Sequence, residues 1–165
     1  ILALTGVFAI IVAIYTAFLF AQAKGRDFWQ SPTLSIHMLL HSFLAGIAVY
    51  FFFTLLNLIS SDWLNYLGYA SIVVITANLF TLLIELGTTH PTTDAKSVVK
   101  MILKGRYRNG FWLGVILIGN ILPLALLLVG GFNPVSGSAA GILMLLGIYI
   151  NNHIWVEAPQ RISLV

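Results

Sequence analysis

The chain has 165 residues, of which 59% are hydrophobic and only 8% are charged. Soluble domains carry about 25% charged residues, so this composition excludes a soluble fold and predicts an all-α integral membrane protein. The formal net charge is +3, but most of the basic residues lie between apolar runs, which favours contact with lipid headgroups over binding of nucleic acid. The chain contains no Cys, so it has no disulfide and no thiolate ligand for a metal or an iron–sulfur cluster.

Five apolar stretches are long enough to cross a bilayer as helices, which takes roughly 20 residues each. We predict spans at about 2–23, 33–56, 64–86, 111–129 and 138–156, forming a single transmembrane domain over residues 1–165. Ser31 and Pro32 are typical of a helix start before the second span. Neither a Met nor a charged flank precedes the apolar run at Ile1, so we expect the chain to be the C-terminal part of a longer polypeptide.

The basic residues follow the alternation of the spans. Lys24 and Arg26 lie between the first two spans, and Arg161 follows the fifth. The connection between the third and fourth spans holds the other five, which are Lys96, Lys100, Lys104, Arg106 and Arg108. The remaining two connections contain no Lys or Arg. By the positive-inside rule, the basic side is cytoplasmic and so is the C-terminus.

Two further patterns concern the membrane surface. Between residues 94 and 108, apolar and basic residues alternate at helical spacing, which predicts a short amphipathic helix on the cytoplasmic surface. Several aromatic residues lie near the predicted span ends, where aromatic belts form. They are Trp29, Trp63, Tyr66, Trp112 and Trp155.

Two histidines lie inside the second span. His37 and His41 are four residues apart, so they share one face of the helix. Imidazole titrates near neutral pH, which favours a role in proton conduction or toward a quinone. One alternative is that the two side chains form hydrogen bonds that tie helices together. Another is haem b ligation, but a pair on one helix cannot bracket a single iron from both sides.

Polar residues also mark the third and fifth spans. Asn78, Thr81 and Glu85 form one stripe that is suited to line a proton path. The alternative is that Glu85 lies solvated at the interface beside a Lys or Arg. His153 and Glu157 share a face near the end of the fifth span, as a proton uptake site or as an ordinary helix end.

The fourth and fifth spans contain features that shape helices. Pro123 removes a backbone hydrogen bond inside the fourth span, and Asn120 lies one turn earlier, which predicts a kink. An alternative is the broken helix of a secondary transporter. Gly137 and Gly141 would allow a second helix to approach closely.

Nucleotide-binding loops, nucleophile elbows and HExxH motifs are absent from the sequence, so we predict no catalytic residue and no metal site.

Three stretches together resemble one family of membrane subunits. They are YTAFLFAQAKGRDFWQSP (15–32), the segment from Glu85 through the His90–Pro91 turn to the basic connection, and NNHIWVEAPQR (151–161). The pattern is similar to the NrfD/PsrC family of polysulfide-reductase-like complexes, which includes the ActC/ActF-type membrane subunits of alternative complex III.

The resemblance implies the C-terminal part of an eight- to ten-helix protein of a bacterial inner membrane. It also implies a complex with an iron–sulfur subunit and either a molybdopterin subunit or a multihaem cytochrome c subunit. The substrate would be menaquinone or ubiquinone, with proton conduction coupled to electron transfer and with no haem, iron–sulfur cluster or covalently bound cofactor in this chain. Our candidates for proton-path or quinone-facing residues are His37, His41, Asn78, Glu85 and His153.

Overall fold

The computed structural model describes residues 1–162, which form helices and connections without a β-strand. The α-helices are α1 (Leu2–Ala21), α2 (Thr33–Leu55), α3 (Leu64–Gly87), α4 (Thr93–Leu103), α5 (Leu122–Gly130) and α6 (Pro134–Gln160), and a π-helix (Gly110–Ile121) precedes α5. Within this range five helical segments are long and apolar enough to span a membrane. The prediction of an all-α bundle with five spans is therefore confirmed.

The last helix is longer than the predicted span of 138–156, because it is capped before it enters the apolar region. The side chain of Asn133 accepts hydrogen bonds from the backbone N–H groups of Val135 and Ser136, and Pro134 occupies the first turn. At its other end α6 continues through Ala158 and Pro159, both of which are buried against the bundle. Capping and tertiary packing extend this helix at both ends.

The amphipathic helix α4 is shorter than the predicted segment of 94–108. It begins where Thr92 Oγ1 accepts a hydrogen bond from the backbone N–H of Ala95, and it ends at Leu103. The chain then turns so that Tyr107 is buried in the core, which a continued surface helix would not allow.

Two apolar clusters form the core around α6, which packs against α2, α5 and the π-helix. One cluster lies at the basic end and includes Phe28, Phe111 and Trp155. The other lies in the opposite half and includes Phe51, Ile75 and Met144. Helix α1 packs along α2 and leaves most of its surface exposed, so that surface is open to lipid or to another polypeptide.

The basic connections meet at one end of the bundle. Arg26 Nη1 donates hydrogen bonds to the carbonyl oxygens of Pro159 at 2.5 Å and Ile162 at 2.7 Å. Arg161 Nε donates to the hydroxyl of Tyr107 at 3.3 Å. These contacts join the connection after α1, the connection after α4 and the end of α6.

The fourth span is a continuous helix. Residues 110–121 take the wider π form and lead directly into α5, so Pro123 does not break the segment. A Cβ atom placed on Gly119 would lie 2.5 Å from the Cα of Gly147, which means that this helix and α6 touch backbone to backbone. The broken helix that motivated the transporter hypothesis is not present in the described residues.

Candidate functional site

A histidine and a carboxylate meet in the interior of the bundle. The Nε2 atom of His37 on α2 lies 2.8 Å from Oε2 of Glu85 on α3, and the two side chains are 3% and 1% exposed. The atoms are close enough for an ion pair, but their angles do not give a hydrogen bond. The alternative placement of Glu85, solvated beside a Lys or Arg, is wrong, because the packing of α3 against α2 buries it.

The second histidine of α2 has a different partner. The Nδ1 atom of His41 lies 3.2 Å from Oδ1 of Asn152 on α6. The imidazole rings of His37 and His41 are 5.8 Å apart between centroids, and the ring of Trp155 is also 5.8 Å from that of His37. The two imidazoles therefore lie side by side between α3 and α6, each facing its own polar group.

A chain of amide groups lies deeper along α3. Asn78 Nδ2 donates a hydrogen bond to Oδ1 of Asn120 at 2.9 Å, and Asn120 Nδ2 donates to the carbonyl oxygen of Val115 at 2.8 Å. Both asparagines are buried. Thr81, between Asn78 and Glu85 on the predicted stripe, donates to the carbonyl oxygen of Ala77 in its own helix. Asn120 thus supports the widened turn of the π-helix and ties it to α3.

His153 lies apart from this interior group. Its side chain is 60% exposed, and Nε2 lies 3.0 Å from Oε2 of Glu157, which also pairs with Arg161. The structure therefore brings His37, His41, Asn78 and Glu85 into the bundle and leaves His153 on the surface of α6.

Several buried polar atoms in this region have no hydrogen-bond partner among the described residues. They belong to His37, Asn78, Glu85, His90, Asn151 and Trp155. Buried polar atoms are almost always satisfied by protein, water or ligand, so these atoms are suited to bind water or a polar ligand.

Asn151 and Trp155 each bring an unpartnered buried polar atom to this region and are absent from the residues predicted from the sequence. The expectation of an aromatic belt is wrong for Trp29 and Trp155, because both side chains are buried at the basic end. There Trp29 Nε1 donates a hydrogen bond to the carbonyl oxygen of Trp155 at 2.7 Å. Asn151 and Trp155 are one turn apart on α6, and this spacing was the available signal.

Five membrane-spanning helices around buried, paired ionisable side chains define a multi-pass membrane protein with a polar interior site. The family model described as "Polysulphide reductase, NrfD" matches residues 1–156, so the chain belongs to this family, as its sequence pattern predicted. Its members are membrane subunits of respiratory oxidoreductase complexes, which in general contain iron–sulfur and molybdopterin subunits. No curated protein and no solved structure matches the chain significantly.

Proposed function

We propose that this chain takes up and releases protons at the His37–Glu85 pair during quinone-linked electron transfer in a bacterial respiratory oxidoreductase. The observation that carries the proposal is the 2.8 Å contact between two buried ionisable groups from different helices. Ionisable groups inside a membrane are costly and commonly belong to proton relays.

The chemistry of the pair suits proton transfer. A carboxylate with an imidazolium has the same net charge as a carboxylic acid with a neutral imidazole. Once the ring and the carboxylate turn into hydrogen-bond alignment, a proton can therefore move between Glu85 Oε2 and His37 Nε2 without leaving a net charge in the interior. His41 beside His37, and the unpartnered atoms of Asn78 and Asn151, extend the polar region along the bundle.

The family and the charge pattern support the following cellular setting for this role. The complex lies in a bacterial inner membrane with the basic end and the C-terminus in the cytoplasm. Its other subunits are an iron–sulfur protein and either a molybdopterin protein or a multihaem cytochrome c, and its substrate is menaquinone or ubiquinone. The electrons travel between those subunits and the quinone, while this chain's residues handle the protons.

Two other hypotheses are less well supported by the geometry. For haem b, two imidazoles would have to face each other across an iron, whereas His37 faces Glu85 and His41 faces Asn152. The transporter hypothesis rested on a broken helix, whereas the segment through Asn120 and Pro123 is continuous. Reduced-minus-oxidised spectra and substrate flux in vesicles lacking partner subunits test these alternatives.

The proposal is tested in the complete complex in proteoliposomes, by measuring quinol-linked turnover and proton uptake for Glu85→Gln and His37→Leu. Removal of a general acid–base group slows a proton-transfer step by about 100-fold or more, and we expect coupled proton uptake to fall to that extent. Asp62→Asn is the matched control, because it removes an exposed carboxylate that lies outside the interior site. Turnover and proton uptake at wild-type values in both interior variants would contradict the proposal.

A further inference from the structure

The outward face of α4 and the turn after it carry a dense group of basic side chains. This group consists of Lys96, Lys100, Lys104, Arg106 and Arg108. All five side chains are exposed, and none lies within ion-pair distance of a carboxylate in the described residues. A concentration of uncompensated positive charge on this scale attracts a multivalent or surface-bound anion.

The position of α4 places these charges at the edge of the membrane. The apolar side chains of Ala95, Val98 and Ile102 are buried against the bundle, so the lysines face outward. Helix α4 connects two membrane-spanning helices, the end of α3 and the start of the π-helix. Trp112, 47% exposed on the first turn of that second helix, donates its Nε1–H to the carbonyl oxygen of Leu103 at 3.3 Å. An exposed indole of this kind is typical of the headgroup level.

A groove on this face combines charge with apolar surface. It has a volume of about 230 Å³ and is lined by Ser97, Lys100, Met101, Lys104 and Gly105. Two ammonium groups one helical turn apart suit the oxygens of a phosphate, and Met101 offers an apolar surface beside them. A Cβ atom on Gly105 would lie 2.9 Å from the Cα of Met101, so any other residue at this position would displace the backbone beside the groove.

We propose that this groove binds the phosphate headgroup of an anionic phospholipid, in the leaflet at the basic end of the bundle. Lys100 and Lys104 hold the phosphate, and the acyl chains lie along the exposed apolar helices beside it. A lipid fits better than a soluble anion, because the groove lies at the headgroup level between two spanning helices and is partly apolar. Each basic residue near an anionic bilayer contributes about fivefold in affinity, converted from about 1 kcal/mol.

The test uses the purified chain within its complex, titrated with phosphatidylglycerol and, separately, with phosphatidylcholine, with bound lipid counted by native mass spectrometry. For Lys100→Gln/Lys104→Gln we expect phosphatidylglycerol affinity to fall about 25-fold, with little change for phosphatidylcholine. Lys24→Gln, at the same end but outside the groove, is the matched control for general surface charge, and its loss of affinity should be smaller than that of Lys104→Gln. Lys104→Gln alone should lose about fivefold, which gives a second measurement if the double variant does not assemble.

Three results would overturn the assignment. Equal phosphatidylglycerol affinity in the wild-type and variant proteins would show that the groove is not the site. Displacement of the lipid by inorganic phosphate at equal concentration would assign the groove to a free anion. Binding of a soluble acidic peptide in phosphatidylcholine nanodiscs, as tightly as phosphatidylglycerol binds, would assign it to an acidic protein partner.

Discussion

The Nε2 atom of His37 on α2 and the Oε2 atom of Glu85 on α3 are held 2.8 Å apart, with both side chains almost completely enclosed by protein. Either group alone would leave an ionisable side chain without its counterpart in a medium that solvates charge poorly. Removing one group should therefore lower the free energy of unfolding more than removing both. Single and double substitutions at these positions should differ in stability for this reason.

Glu85→Leu should destabilise the bundle by about 3–5 kcal/mol, because it leaves the imidazole of His37 buried without its partner. The free energy of unfolding in mixed micelles or bicelles measures this loss. His37→Leu/Glu85→Leu should recover most of it, since an apolar pair of similar volume needs no solvation. A double variant as unstable as the sum of the two single variants would show that the residues do not interact.

Gly147→Ala should destabilise the protein by about 1–3 kcal/mol, because the added methyl group would overlap the backbone of Gly119 on the π-helix. Thermal unfolding of the detergent-solubilised protein measures the effect. Gly46→Ala is the matched control, since a Cβ at Gly46 meets nothing within 4 Å and alanine favours a helix over glycine by about 0.8–1 kcal/mol. The same substitution should thus have opposite signs at the two sites. Equal effects would contradict the close helix contact.

Asn120→Leu should cost about 1–3 kcal/mol, because it leaves the amide of Asn78 and the carbonyl oxygen of Val115 without their shared partner. Unfolding in bicelles gives the magnitude. Thr76→Val is a suitable control, because that exposed hydroxyl bonds only to its own helix at the carbonyl oxygen of Ile72. Equal stability of Asn120→Leu and the wild type would show that the amide chain between α3 and the π-helix contributes nothing.

Arg26→Gln should loosen the basic end, because the guanidinium donates to two carbonyl oxygens at the end of α6, those of Pro159 and Ile162. Hydrogen bonds from a charged group contribute about 1.5–3 kcal/mol each. Hydrogen exchange should increase over the last turn of α6 and remain unchanged in α3. Lys24→Gln, which changes an exposed neighbouring charge, controls for the loss of positive charge, and exchange as fast in that variant would argue against the role of Arg26.

Composition and charge pattern were sufficient to predict the helical class and the five spans, and the resemblance carried by three stretches of sequence predicted the family. Hydrophobicity over about 20 residues is a property of each segment, so no neighbour is needed to recognise it. The one-sided placement of Lys and Arg is likewise readable along the chain. Four of the five candidate site residues lie in the interior because ionisable or amide side chains in apolar helices seldom face lipid.

The tertiary structure decided which of those residues meet. Periodicity places His37 on a face of α2, but only the packing of α2 against α3 puts its ring beside Glu85 rather than leaving the carboxylate in solvent. The packing of α6 against α2 and the π-helix buries Trp155 and Asn151 and leaves His153 outside. The capping of α6 and the backbone contact between Gly119 and Gly147 also depend on neighbouring segments. The distances between helices determine which buried groups meet. Those distances cannot be read from the spacing of residues within one helix.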